Sequence, residues 1–159
     1  MIKNKIAKFW SWYERNYTFN LGVAVFLLSL QIIHLYWLTA DVVFFRIFGE
    51  SFFEIGGLFK TLIIFIDYLE IPALVSGSLI YINALRKNKS IKNLLFLIFL
   101  NSQWLHIFWI TDEFVVEGLT QGGVVWPAWL VSTAIIIDYF ELPVIYDSSK
   151  RFIIRVWNS

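Results

Sequence analysis

The sequence predicts an all-α integral membrane protein, a four-transmembrane-helix bundle made of two tandem helix pairs related by a pseudo-two-fold axis along the membrane normal. Three observations carry this prediction. Of 159 residues, 58% are hydrophobic and 16% charged, with a mean hydropathy of +0.67, too apolar for a soluble domain of ordinary make-up. Four stretches nearly free of charge are long enough to cross roughly 30 Å of hydrocarbon. Two blocks of polar and aromatic residues recur at an offset of 71 or 72 positions.

The elements follow in chain order. Residues 1–15 place Ile2, Ile6, Trp10 and Tyr13 at helical spacing opposite lysines, as suits a short amphipathic helix in the headgroup layer. A signal peptide fits poorly, because no small-x-small cleavage site follows. Residues 16–85 form the first repeat, with spans at Asn16 to Ala40 and Thr61 to Leu85. A basic loop, 86–92, leads to the second repeat, 93–147, with spans at Asn93 to Thr111 and Gly118 to Tyr146, and then to the tail, 148–159. Eleven of the thirteen Lys and Arg residues fall in the N-terminus, the middle loop and the tail. Basic residues resist translocation, so both termini are expected in the cytoplasm of a multi-pass protein.

Cysteine is absent, which excludes disulfides, thiolate catalysis, Cys-ligated zinc and iron–sulfur clusters. A net charge of +1 gives no sign of a nucleic-acid partner. The expected partners are membrane lipid or a lipophilic small molecule, with a homo-oligomer or larger membrane complex as a further form of association. A phosphate loop is not expected, since Gly56, Gly57, Gly122 and Gly123 lack the Lys and Ser/Thr signature.

The repeat identifies the informative residues. Gln31, His34, Trp37, Thr39 and Asp41 align with Gln103, His106, Trp109, Thr111 and Glu113, and Asp67-Tyr68-Leu69-Glu70-Ile71-Pro72 with Asp138-Tyr139-Phe140-Glu141-Leu142-Pro143. At 100° per residue, steps of three and seven return to one helix face. Gln31, His34 and Asp41 therefore share a face, as do Asp67 and Glu70, and likewise in the second repeat. A carboxylate facing lipid costs several kcal/mol, so these acids are expected to point inward.

His34, Asp67, Glu70, His106, Asp138 and Glu141 are expected to meet near the midplane as metal ligands. Gln31 and Gln103 would orient the histidines, Asp41 and Glu113 would sit at the outer mouth, and the carbonyls of Tyr68 and Tyr139, freed by the prolines, would add acceptors. Four carboxylates at close range call for neutralisation, and two divalent ions supply it. An oxygen-rich set with two imidazoles suits Fe, Mn or Zn. Di-iron and di-manganese carboxylate bundles use the same inventory in a different motif, so the likeness is one of chemistry alone. A haem between the histidines fits less well with carboxylates at the same depth, and no organic cofactor or catalytic residue is assigned.

Several functions are compatible with this inventory: a membrane-embedded oxidoreductase or metal-assisted hydrolase acting on a lipophilic substrate, a proton or cation conduit, or an accessory subunit of a larger membrane complex. A further reading comes from a resemblance. A short four-helix chain, a His followed two turns later by an acid (His34 and Asp41, His106 and Glu113), and the Glu70-Ile71-Pro72 step resemble, at scattered positions, the emopamil-binding (EXPERA) family. That resemblance implies proton-transfer chemistry on a sterol-like lipid. Whether the protein is an enzyme is left open by the residues alone.

Overall fold

The computed structural model describes residues 2–50, 52, 57–111 and 127–158, and these are helical apart from short turns and loops. In chain order they form α1 (Ile2–Arg15), α2 (Tyr17–Trp37), a π-helical segment (Leu38–Val43), α3 (Phe44–Phe48), α4 (Gly57–Tyr68), α5 (Glu70–Lys87), α6 (Ile91–Ile110), α7 (Ala128–Tyr139) and α8 (Glu141–Trp157). Among the described residues three helical stretches are long and apolar enough to cross a membrane: Tyr17–Phe48, Thr61–Lys87 and Ile91–Phe108. Glu113, Asp112, Glu54, Glu117 and Trp126 lie outside the described residues.

The boundaries have local causes. Asn16 interrupts the chain between α1 and α2; its backbone N–H (3.1 Å) and side chain (3.0 Å) both donate to the Trp12 carbonyl, and the Asn20 side chain donates to the carbonyl of Tyr13 (3.3 Å) at the end of α1. Arg86 and Lys87 occupy the last turn of α5, the favourable end of the helix dipole for cations. Pro127 stands in extended conformation directly before α7. Pro72 and Pro143 are each the third residue of a helix that starts afresh after a single turn residue, Leu69 or Phe140. In a first turn the missing N–H has no intrahelical partner to lose.

Three features differ from the sequence expectation. The second and fourth spans are broken at Leu69 and Phe140, so that Glu70 and Glu141 open new helices. The first span changes winding at Leu38, where i→i+5 bonding departs from 100° per residue. The last helix does not stop at Tyr146 but continues to Trp157, because Asp147, Lys150 and Arg151 pair or face outward rather than ending it.

Packing forms a ring of neighbours: α2 lies against α4, α5 and α8, and α6 against α5, α7 and α8. The core runs down the middle, with Leu28, Ala73, Leu74, Tyr81, Leu100 and Val144 all fully buried. A smaller cluster of Leu21, Ala24 and Ile80 lies toward the α1 end. The outer surface is apolar, with Phe19, Phe26, Phe65, Leu105 and Phe108 exposed. At the basic end α1 is fastened to α5: Arg86 stacks 4.1 Å above the Trp10 ring, and Lys87 Nζ lies 3.4 Å from Glu14.

Candidate metal centre

α2 carries His34, α4 Asp67, α5 Glu70, α6 His106, α7 Asp138 and α8 Glu141 into one interior cluster. His34 Nδ1 abuts Asp67 Oδ1, and its Nε2 lies 3.8 Å from Asp138 Oδ2. His106 Nδ1 is 3.0 Å from Asp138 Oδ1, and the two imidazoles stand edge to face, 5.4 Å between centroids. Ligand atoms of His34, His106 and Asp138 all lie within 4.8 Å of one another. Glu70 and Glu141 adjoin each other. Every one of the four carboxylates is at most 4% exposed.

Hydrogen bonding is incomplete here and nearly complete elsewhere. Among the described residues ten buried side-chain nitrogen and oxygen atoms have no hydrogen-bond partner, and all but Tyr13 Oη belong to this cluster: both ring nitrogens of each histidine, one oxygen of each acid, and Gln103 Oε1. The close histidine–aspartate approaches thus lack hydrogen-bond direction. An unsatisfied buried polar group costs about 1–3 kcal/mol, so nine in one place describe a site shaped for a ligand or for added protons.

The glutamines act on the backbone. Gln31 Nε2 donates to the Ile66 carbonyl (3.2 Å) and Gln103 Nε2 to the Ile137 carbonyl (2.9 Å), each three residues before a helix break. Breaking a helix frees carbonyls; Gln31 bonds one at the first break, while at the second Gln103 shares the Ile137 carbonyl with the Phe140 backbone N–H (2.9 Å). The tyrosines reach across the ring: Tyr139 Oη pairs with Thr39 Oγ1 (2.7 Å) and Tyr68 Oη with Thr111 Oγ1 (3.3 Å). Asp41, within the π-helical segment, accepts from Trp37 Nε1 at 3.1 Å, which gives that tryptophan a polar duty beyond packing. Thr39 and Thr111 were visible as aligned positions, but nothing in the pattern named their partners.

A second polar cluster lies at the basic end and has no repeated counterpart in the sequence. Asp147 receives Lys92 Nζ and Arg151 Nε, each at 2.6 Å, and Arg151 Nη2 donates to Asn93 Oδ1 at 2.7 Å. The buried Tyr81 hydroxyl sits 3.0 Å from Ser148 Oγ. Burial alone would raise the Asp147 carboxyl, but the bonds and charges of Lys92 and Arg151 outweigh it and hold the group below the usual carboxylate range. The i,i+4 spacing of Asp147 and Arg151 was the available sequence signal.

In comparisons of sequence and fold, the chain matches no protein-family model, no curated protein and no solved structure.

Proposed function

We propose that this chain is a multi-pass membrane protein, with four spans and cytoplasmic termini, whose interior cluster binds divalent metal. The observation that carries the reading is the convergence of His34, His106 and Asp138 ligand atoms within 4.8 Å, in a buried place where both imidazoles are without hydrogen bonds. Asp67, against the Nδ1 side of His34, would be a further ligand or would orient that imidazole, in a mixed nitrogen and oxygen set suited to Fe, Mn or Zn. The Glu70 and Glu141 pair would serve a second ion, so that four carboxylates and two divalent cations balance. Such a centre supplies redox or Lewis-acid chemistry, here for a lipophilic substrate entering from the bilayer. The chain's own residues hold the ligands in register: the glutamines fix the helix breaks, and the Thr–Tyr pairs tie opposite sides of the ring together.

The contacts also support reading the chain as a duplication. Gln31–Ile66, His34–Asp67 and Thr39–Tyr139 each have a counterpart, in Gln103–Ile137, His106–Asp138 and Thr111–Tyr68. One half places its polar groups as the other does.

Elemental analysis of the detergent-purified chain by inductively coupled plasma mass spectrometry tests the reading. Metal near two equivalents, lost in Asp138→Asn, is the expected result; metal no higher than in the variant would overturn it. The Glu70–Glu141 pair favours a second reading, a proton or cation conduit, which predicts flux into proteoliposomes that persists after exhaustive chelation.

A further inference from the structure

We propose that the basic end of the α2–α8 contact binds an anionic phospholipid, its head group on Arg151 and Arg155 and one acyl chain along α2. A cavity of about 280 Å³ is lined there by Tyr17, Arg151, Ile154, Arg155 and Asn158. Beside it an apolar groove of about 630 Å³ is lined by Phe19, Gly22, Val23, Phe26, Phe152 and Val156, with Thr18 at its rim. The two are joined through one residue pair: Arg155 lines the first, and its Nε donates to Thr18 Oγ1 of the second at 3.4 Å.

Charge and shape select the occupant. Among the described residues neither cavity is lined by an acid. The nearby Asp147 already faces two cations, Lys92 and Arg151, so among the described residues Arg155 adds positive charge that no acid offsets. An arginine has five N–H donors, and the contact to Thr18 uses only the one on Nε. Basic pockets at the cytoplasmic ends of membrane helices suit anionic head groups. In the groove, a Cβ on Gly22 would lie 3.1 Å from Phe152 Cε2, so the missing side chain lets that ring form the floor. From Thr18 to Phe26 the groove follows α2 for about 12 Å. Phe19 and Phe26 stand as its walls, both more than 60% exposed.

This inference rests on the membrane reading and is independent of the metal centre. The test titrates the full-length chain in detergent with phosphatidylglycerol or phosphatidylcholine and counts retained lipids by native mass spectrometry. The wild type should retain phosphatidylglycerol preferentially. Arg155→Gln should lower that preference about fivefold, the effect of one cation near the surface, and Arg155→Lys should keep most of it. Val23→Trp, which fills the groove, should weaken both lipids, and glycerol phosphate should not displace them. Equal retention of the two lipids by the wild type, an unchanged preference in Arg155→Gln, or displacement by glycerol phosphate alone would each overturn the proposal. Should Val23→Trp fail to fold, the two Arg155 variants decide. Alkaline extraction of membranes separates the premises: a chain that stays in the pellet but binds lipid without preference sinks this site alone, whereas release to the supernatant sinks the membrane reading.

Discussion

Gly77 sets how closely α5 approaches α6, and a methyl group there gives a quantitative check on that contact. A Cβ at position 77 falls 2.7 Å from Leu100 Cδ2 and 3.7 Å from both Leu100 Cδ1 and Leu28 Cδ1. Carbon atoms rest about 3.5–4.0 Å apart, so the nearest pair must separate by about 1 Å. Leu28 and Leu100 are both 0% exposed, and their methyls have little room to move. Overpacking of this kind costs about 1–3 kcal/mol, while alanine is about 1 kcal/mol better than glycine inside a helix. Gly77→Ala should therefore destabilise by about 0–2 kcal/mol. Leu100→Ala alone opens a cavity and should cost about 2–5 kcal/mol. In the double variant the new methyl enters the vacated space, so the two losses should sum to about 1–2 kcal/mol more than the measured value. Reversible denaturation in mixed micelles reads all four corners of this cycle. Because Gly77 lies about 10 Å along α5 from Glu70, the displaced contact should also lower metal retention, and the double variant should restore part of it. Additive losses, or a Gly77→Ala protein more stable than the parent by over 1 kcal/mol, would refute a tight α5–α6 approach.

Other expectations follow from the same structure. Asp147→Asn should cost about 1–3 kcal/mol, discounted from a fully buried pair because Lys92 and Arg151 keep some solvent contact. The Asp147 carboxyl is held low in the folded protein, so its stabilisation is present above the ordinary aspartate value of about 3.9 and fades as pH falls through the lower folded one; the variant should show a flatter acid limb in thermal melts. Gln31→Leu should cost about 1–3 kcal/mol by leaving the Ile66 carbonyl without its side-chain donor, whereas Gln103→Leu should cost less, because the Ile137 carbonyl also accepts from the Phe140 backbone N–H; retention of full stability by Gln31→Leu would show that water caps that break instead. Chelation should lower the melting temperature of the wild type and leave Asp138→Asn unmoved, since a ligand stabilises only the protein that binds it; an equal drop in both would point to a nonspecific effect.

Much of the site was legible because membrane physics restricts where a carboxylate can go. Asp67, Glu70, Asp138 and Glu141 interrupt otherwise apolar spans, and the structure buries all four beside His34 and His106. The N-terminal stretch is helical as its spacing predicts, although Tyr13 is buried while Ile6 is exposed. Finer geometry was not legible. A uniform 100° per residue could not foresee the π-helical turn that contains Asp41. The prolines signalled a freed carbonyl, but a full restart of the helix at Glu70 and Glu141 depends on neighbours such as Gln31 and Gln103, which lie about 35 residues away in sequence. The Asp147 cluster was missed because its charges resembled a boundary, and only tertiary pairing shows that the helix continues through them.

The wide winding at Leu38–Val43 has a consequence for how this chain can tolerate change in length. A turn closed by i→i+5 bonds contains one residue more than an α-helical turn. Deleting a single apolar residue there, Val42 or Val43, would let the segment tighten into ordinary α-helix. Gln31 and His34 before it and Phe44–Phe48 after it would keep their facing directions. The helical stretch Tyr17–Phe48 thus carries a spare residue between its interior groups and its C-terminal end, where a deletion can be absorbed without rotating either.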